Sequence, residues 1–272
     1  MSTIRPPAVA GSFYPRNRVT LTDEIDAMLD DAGRRKPLLP DEPLPKAIIV
    51  PHAGYIYSGP VAAGAYLRLR RGKESITRVL LLGPVHRVPV HGLALSSASY
   101  FETPLGVIPL EGDAAQQLAG LSQVTVSDAA HAEEHSLEVQ LPFLQRVLGE
   151  FSLIPLAVGD ARPEAVAEVL ERLWGGPETL IVISSDLSHY LPYDTARRMD
   201  HDTVQALLKL QLLPSHDLAC GATPVNGMVV AARRKGLVPR LIDLRNSGDT
   251  AGDKRGVVGY ASITLYEGDD NV

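Results

Sequence analysis

Four apolar residues lead directly into a histidine loop in the sequence AIIVPHAGY, residues 47–55. The apolar part is typical of a short buried strand, because β-branched side chains pack well on a pleated surface. Pro51 ends the predicted strand, and His52 follows it. Ligands of open α/β sheets bind beyond the carboxyl ends of the strands. The stretch therefore predicts an α/β sheet with an imidazole at its ligand-binding edge.

The same arrangement recurs twice along the chain. The run VLLLGPVH (79–86) ends in His86, and the run LIVISSDLSH (180–189) ends in His189. A lone histidine is more often a hydrogen-bonded surface or core group than a ligand, but a parallel sheet places such strand ends side by side. Neutral imidazole is the commonest metal ligand among side chains. We therefore predict a metal site on His52 and His86, and such a pair needs a third donor.

Predicted strands and helices alternate along all 272 residues, with no internal repeat and no linker long enough to separate domains. The hydrophobic fraction of 45% is sufficient for a sizeable core. We predict one α/β domain over residues 1–272, with a central mostly parallel or mixed sheet flanked by helices.

Charge and composition argue against several classes of protein. The net charge of -6 is unlike that of a nucleic-acid binder, which carries a basic patch. No apolar run approaches the roughly 20 residues that cross a bilayer, and the N-terminus lacks the pattern of a signal peptide. The single cysteine, Cys220, rules out an internal disulfide and fits a reducing compartment. We expect a cytoplasmic protein without a nucleic-acid or membrane partner.

Asp186 and Cys220 are further candidates, each with two interpretations. Asp186 follows an apolar strand, where a carboxylate can orient an imidazole such as His189 or ligate a metal. It can equally be a turn residue or a helix cap. Cys220 precedes a predicted helix, where the thiol pKa is often lowered and a thiolate can bind metal. A free cysteine is also a common small core residue, and both alternatives stay open.

The sequence HAEEH, residues 131–135, matches the H-x-x-E-H pattern of a class of zinc proteases. That chemistry needs both histidines on one face of a helix, and no clear helix precedes His131. We therefore favour Glu133 and His135 as polar groups that face the site, although the protease interpretation remains as an alternative.

A helix is predicted over residues 134–148, because leucines recur on one face. Pro142 predicts a kink inside this helix. Glu138 is placed one turn beyond His135, where its carboxylate can orient the imidazole.

Several separated motifs occur in an order that resembles the Memo family, whose bacterial and archaeal members are called AmmeMemoRadiSam system protein B. The resemblance covers nearly the whole chain. The motifs are PAVAGSFYP (7–15), VPHAGY (50–55), LGPVH (82–86), EEHSLE (133–138), SSDLSH (184–189), CG (220–221) and VGYA (258–261).

The resemblance implies a fold similar to class III (LigB-type) extradiol dioxygenases, which hold non-haem Fe(II) with two histidines and a glutamate. His52 and His86 match the two histidine ligands, and Cys220 occupies the position of the glutamate. A soft thiolate in place of a carboxylate shifts the preference toward copper or another soft metal. The implied cofactor is therefore non-haem iron or copper. The other polar groups that match the pocket are His135, Asp186 and His189.

Three functions follow from these expectations. The first is a metal-dependent oxidoreductase, with His135 or His189 as proton shuttle and Asp186 as orienting group. The alternative is a non-enzymatic binding or adaptor protein that captures a peptide or small anion in a vestigial pocket. Metal-assisted hydrolysis is a third. The family resemblance also implies AMMECR-type and radical-SAM pathway partners, whereas the small-molecule or peptide substrate is not identified.

Overall fold

A mixed sheet of eight strands forms the centre of the computed structural model, which describes residues 3–268. A smaller sheet of three strands lies beside it. The strands are β1 (Ile4–Arg5), β2 (Ala47–Val50), β3 (Arg78–Pro84), β4 (Leu93–Leu95), β5 (Tyr100–Thr103), β6 (Gly106–Pro109), β7 (Val124–Val126), β8 (Ser152–Val158), β9 (Thr179–Ser184), β10 (Val238–Asn246) and β11 (Gly259–Tyr266).

The strand order in the large sheet is β10-β11-β2-β9-β3-β8-β4-β7, and the small sheet has the order β1-β5-β6. Strands β2, β9, β3 and β8 are parallel neighbours. The α-helices are α1 (Arg18–Arg35), α2 (Tyr55–Leu69), α3 (Ala114–Gln117), α4 (Asp128–Ala132), α5 (Leu141–Val147), α6 (Pro163–Arg172), α7 (Tyr193–Leu208), α8 (Ala222–Lys235) and α9 (Ser247–Thr250).

The four parallel strands carry nearly continuous apolar runs because helices cover both faces of the sheet. All residues of β2 and β9 are buried. One core contains side chains from α1, α2 and α5, and the other contains side chains from α6, α7 and α8. This mixed sheet flanked by helices confirms the predicted fold class.

The register of the central strands brings their carboxyl ends to one edge. Val50 of β2 pairs with Ser184 of β9, and Leu82 of β3 pairs with Ile183. The loops that begin at Pro51 and Ser185 therefore start at the same level of the sheet.

The helix predicted over residues 134–148 is wrong in its first half. The chain is irregular up to Leu137, a 3-10 turn covers Glu138–Gln140, and α5 follows. Pro142 lies in the first turn of α5, where a missing N–H costs no intrahelical hydrogen bond, so it produces no kink. His131 lies within the short helix α4, although no helix was predicted there.

No helix within residues 3–268 combines the length and the apolar character that a bilayer span requires.

Candidate metal centre

His52 lies two residues beyond β2 and is buried, with 2% of its surface exposed. Its backbone N–H donates to Asp186 Oδ1 at 2.7 Å, which fixes the loop against the end of β9. Its ring Nδ1 lies 2.8 Å from Ser184 Oγ. Burial lowers the pKa of His52 well below its ordinary value, and the neighbouring imidazoles lower it further. The ring is therefore neutral and retains a lone pair for ligation.

His86 lies two residues beyond β3 and is held by a carboxylate. Its backbone N–H donates to Glu134 Oε2 at 2.5 Å, and its ring Nδ1 lies 2.8 Å from Glu134 Oε1. Burial raises the pKa of Glu134, but hydrogen bonds from His86 and Ser136 outweigh burial and lower the pKa to about 2. An ionised carboxylate only accepts, so Nδ1 of His86 carries the proton and Nε2 is free.

Cys220 reaches the same point from the loop before α8. Its Sγ lies 3.3 Å from His52 Nε2. Burial raises the pKa of the thiol to about 12, and the Asp186 carboxylate adds to this effect. Donor atoms of His52, His86 and Cys220 all lie within 4.8 Å of one another. The tertiary structure thus brings the three predicted ligand residues together.

Asp186 lies behind His52 rather than among the donor atoms. Its carboxylate is buried and accepts the backbone N–H of His52. Burial raises the pKa of Asp186 to about 7, although this hydrogen bond acts in the opposite direction. Asp186 positions the loop that carries His52 and holds a proton near neutral pH.

His135 closes the side of the cluster next to His86. Its ring centroid lies 4.5 Å from that of His86 and 5.5 Å from that of His52. Its Nδ1 lies 3.3 Å from Glu134 Oε1. Burial lowers the pKa of His135 to about 4, and the proximity of the His86 ring adds to this effect. His135 is therefore a neutral imidazole beside the three donors.

His189 lies at the exposed rim of this cluster. Its Nδ1 is 2.9 Å from the carbonyl of Leu187, which only accepts and so keeps the proton on Nδ1. Burial of part of the ring lowers the pKa of His189. Proximity of the His189 ring contributes to the lowered pKa of His52.

Comparison with known proteins identifies the family. The profile of the family described as Memo-like protein matches residues 5–264. The chain belongs to the Memo family. A MEMO1 family protein of Sulfolobus acidocaldarius is 34% identical over 96% of this chain and 98% of its own length. One from Aquifex aeolicus is 37% identical, with the same shares covered.

Among solved structures, an uncharacterized protein of Escherichia coli K12 superimposes with a TM-score of 0.54 and 14% identity. The match covers 81% of the Memo chain and 98% of the other chain. This likeness concerns the fold alone.

The glutamates of the Memo chain have different roles from those predicted. Glu133 is exposed and Glu134, which was not singled out, holds both His86 and His135. Glu138 does not orient His135. It is buried and accepts hydrogen bonds at 2.6 Å from Arg5 and from the Tyr14 hydroxyl, so it anchors the N-terminal segment. The position of Glu134 in the H-x-x-E-H pattern was the available signal.

The histidines of that pattern do not converge on one site. His131 is buried, and its Nε2 lies 2.9 Å from the carbonyl of Ala94. Its ring packs against Phe101, with centroids 5.7 Å apart. Among residues 3–268, the groups of three donors within 4.8 Å include His135 but not His131. This placement gives no support to the protease interpretation.

A second group of donors, formed by His86, Glu134 and His135, also lies within 4.8 Å. Its carboxylate already accepts from the backbone N–H groups of His86, His135 and Ser136 and from the His86 ring. A carboxylate with these partners has little capacity left for a metal. This group therefore orients His86 rather than forming a separate site.

Proposed function

We propose that this Memo-family protein binds non-haem iron or copper through His52, His86 and Cys220 and catalyses an oxidation–reduction reaction of a small molecule. The observation that carries the proposal is the convergence of two imidazoles and a thiol, whose donor atoms lie within 4.8 Å. Two of these residues follow β2 and β3, the parallel strands on either side of β9, and the third comes from a loop far along the chain. Packing alone does not require donors to meet in this way.

The donor set fits a soft or borderline transition metal. Imidazole suits iron and copper, and thiolate favours soft ions, whereas calcium and magnesium prefer oxygen ligands. Cys220 holds its proton in the metal-free protein because burial disfavours the thiolate. Metal binding releases such a proton, and the cation then stabilises the thiolate. We expect the affinity to rise with pH for this reason.

Bound iron or copper would supply Lewis-acid and electron-transfer chemistry at this edge of the sheet. The protein supplies groups that accept and hold protons. His135 is neutral because its pKa is lowered to about 4, and its Nδ1 faces Glu134, so Nε2 is free to exchange a proton. Asp186 holds a proton up to about pH 7. His189 is exposed, and we assign it the exchange of protons with solvent.

Exposed apolar residues favour peptide binding as a second candidate function. Ile56 and Tyr190 follow the site residues His52 and His189 closely in the chain and are 68% and 79% exposed. Exposed apolar side chains beside a site are typical of surfaces that bind a partner. Peptide binding that persists after metal removal would favour this alternative.

Metal content and oxygen uptake test the proposal. Wild type, His52→Ala, Cys220→Ser and the control His201→Ala, which changes an exposed histidine on α7, are prepared anaerobically and titrated with Fe(II) and Cu(I). We expect His52→Ala and Cys220→Ser to lose at least about tenfold in affinity, roughly 1.4 kcal/mol, and the control to match wild type.

A wild type that binds neither ion contradicts the metal site. A loaded wild type that consumes no oxygen with catechol-like or thiol substrates contradicts the oxidoreductase part.

A further inference from the structure

The hydroxyl of Ser184, at the end of β9, has three hydrogen-bond partners in the interior. Its Oγ lies 2.6 Å from the carbonyl of Ser136, 2.8 Å from Nε2 of Gln140 and 2.8 Å from Nδ1 of His52. Ser184, Gln140 and His52 are each at most 2% exposed. Because buried polar groups satisfy their hydrogen bonds, the direction of each bond can be deduced.

Two of the three directions follow from the chemistry of the partners. The carbonyl of Ser136 only accepts, so the single hydroxyl hydrogen of Ser184 is donated to it. The amide of Gln140 lies 2.9 Å from the carbonyl of Pro51, which also only accepts, so this end of the amide is the NH₂ group. The amide oxygen, Oε1, accepts from the Tyr66 hydroxyl at 2.7 Å. The second amide hydrogen of Gln140 is then donated to Ser184.

The third direction is thereby determined. Ser184 has used its hydrogen, so it accepts from His52, and the proton of the imidazole is on Nδ1. The lone pair is then on Nε2, the atom that lies 3.3 Å from Cys220 Sγ. We propose that Gln140 and Ser184 are positioning residues that hold His52 in its Nδ1–H tautomer, ready for ligation, before any metal is present. The role of this tautomer in metal binding rests on the proposed function, but the assignment of the tautomer does not.

The two histidines of the centre are oriented by different chemistry. His86, whose side chain is 29% exposed, donates to the ionised carboxylate of Glu134. His52 is buried, and the carboxyl group of Asp186 accepts its backbone N–H. A neutral hydroxyl and amide orient this ring without placing a negative charge beside it in the interior, where an unpaired charge is costly.

Histidine ¹⁵N NMR of the metal-free protein tests the inference directly. Long-range proton–nitrogen correlations show which ring nitrogen carries the proton, and the loss of signals in His52→Gln assigns them. We expect wild type to carry the proton on Nδ1 of His52. In Ser184→Ala the Nδ1 partner is missing, so we expect the proton on Nε2, where the sulfur of Cys220 can accept it.

The same variants are titrated with Fe(II) and Cu(I). Loss of a group that orients a ligating histidine typically lowers metal affinity about 10- to 100-fold, and we expect this loss in Ser184→Ala. Ser184→Thr keeps the hydroxyl and should retain both the tautomer and the affinity. Ser262→Ala is the matched control, because Ser262 is equally buried on β11 and its Oγ has no hydrogen-bond partner among the described residues.

Gln140→Met tests the amide. Without the hydrogen that the Gln140 amide donates to it, the Ser184 hydroxyl can donate either to Ser136 or to His52. We therefore expect a mixture of the two His52 tautomers. The inference is overturned by the wild-type spectrum alone if the proton of His52 is on Nε2. An unchanged tautomer in folded Ser184→Ala also overturns it. If wild type shows the Nδ1 proton but binds neither ion, the tautomer assignment holds and the proposed metal function fails.

Discussion

His52 and Cys220 are 168 positions apart in the chain, yet His52 Nε2 and Cys220 Sγ are separated by only 3.3 Å. The two residues come from different loops at one edge of the sheet, beyond β2 and before α8. In the proposed metal site, we expect the third donor, a thiol rather than a carboxylate, to be the main determinant of metal preference.

The substitution Cys220→Asp tests this preference. It replaces the soft sulfur with a hard oxygen of similar reach, so two histidines and a carboxylate would face the site, as in non-haem Fe(II) centres. We expect Cu(I) affinity to fall at least about tenfold and Fe(II) affinity to fall less or to rise. Competition titrations measure the ratio, and equal losses for both ions would show that sulfur does not determine the preference.

Glu134→Gln should weaken metal binding although Glu134 is not a proposed ligand. The carboxylate is ionised, since its pKa is lowered to about 2, and it accepts the Nδ1 proton of His86. In the variant, the amide NH₂ would face N–H donors and could not accept from them. We expect an affinity loss of about 10- to 100-fold for Fe(II) or Cu(I). Glu133→Gln, a change at the exposed neighbour, is the control and should bind as wild type.

Asp200, on α7, should make stability depend on pH. It is buried and accepts the backbone N–H of Ser188 at 3.0 Å. Burial raises its pKa from 3.8 to about 6, although the hydrogen bond from the Ser188 backbone opposes this. A raised carboxyl pKa contributes stability below pH 3.8 that is lost as pH rises through 6. The loss amounts to about 3 kcal/mol for a shift of this size.

Asp200→Asn should remove this dependence. We expect the free energy of unfolding of the variant, minus that of wild type, to increase between about pH 4 and 6.5 and to be constant above. Denaturant titrations across this range measure it, with exposed Asp202→Asn as the control. Parallel profiles for Asp200→Asn and wild type would contradict the assignment.

Glu138→Ala should detach the N-terminal segment. The carboxylate is fully buried and accepts from Arg5, from the backbone of Ala8 and Val9, and from Tyr14. Its removal leaves the buried Arg5 charge unpaired, which costs about 3–5 kcal/mol. Denaturant unfolding measures this loss, and limited proteolysis should cleave within residues 5–15.

Glu171→Ala is the matched comparison for this prediction. Glu171 pairs with Arg234 at 3.2 Å on the surface, and both side chains are partly exposed. Exposed pairs contribute about 0–1 kcal/mol, so we expect little change. Similar losses in Glu138→Ala and Glu171→Ala would contradict the importance of burial.

The strand ends were predictable because the pattern that defines a buried parallel strand is local. Runs of β-branched and leucine residues marked β2, β3 and β9, and the following residues His52 and His86 had to reach the same edge. The helix over residues 134–148 failed for the converse reason. Its leucine spacing is helical, but the carboxylate of Glu134 accepts from backbone N–H groups of its own loop and of His86. These hydrogen bonds keep the first residues of the predicted helix in an irregular conformation.

The sequence by itself determined the family, the α/β class and the histidines that follow the parallel strands, because these depend on local pattern and on motif order. Only the tertiary structure decided that Cys220 meets His52, that Glu134 rather than Glu138 holds the imidazoles, and that Gln140 and Ser184 set a tautomer. These relationships join segments far apart in the chain. Their hydrogen bonds depend on side-chain direction to within a few tenths of an ångström, which residue spacing does not specify.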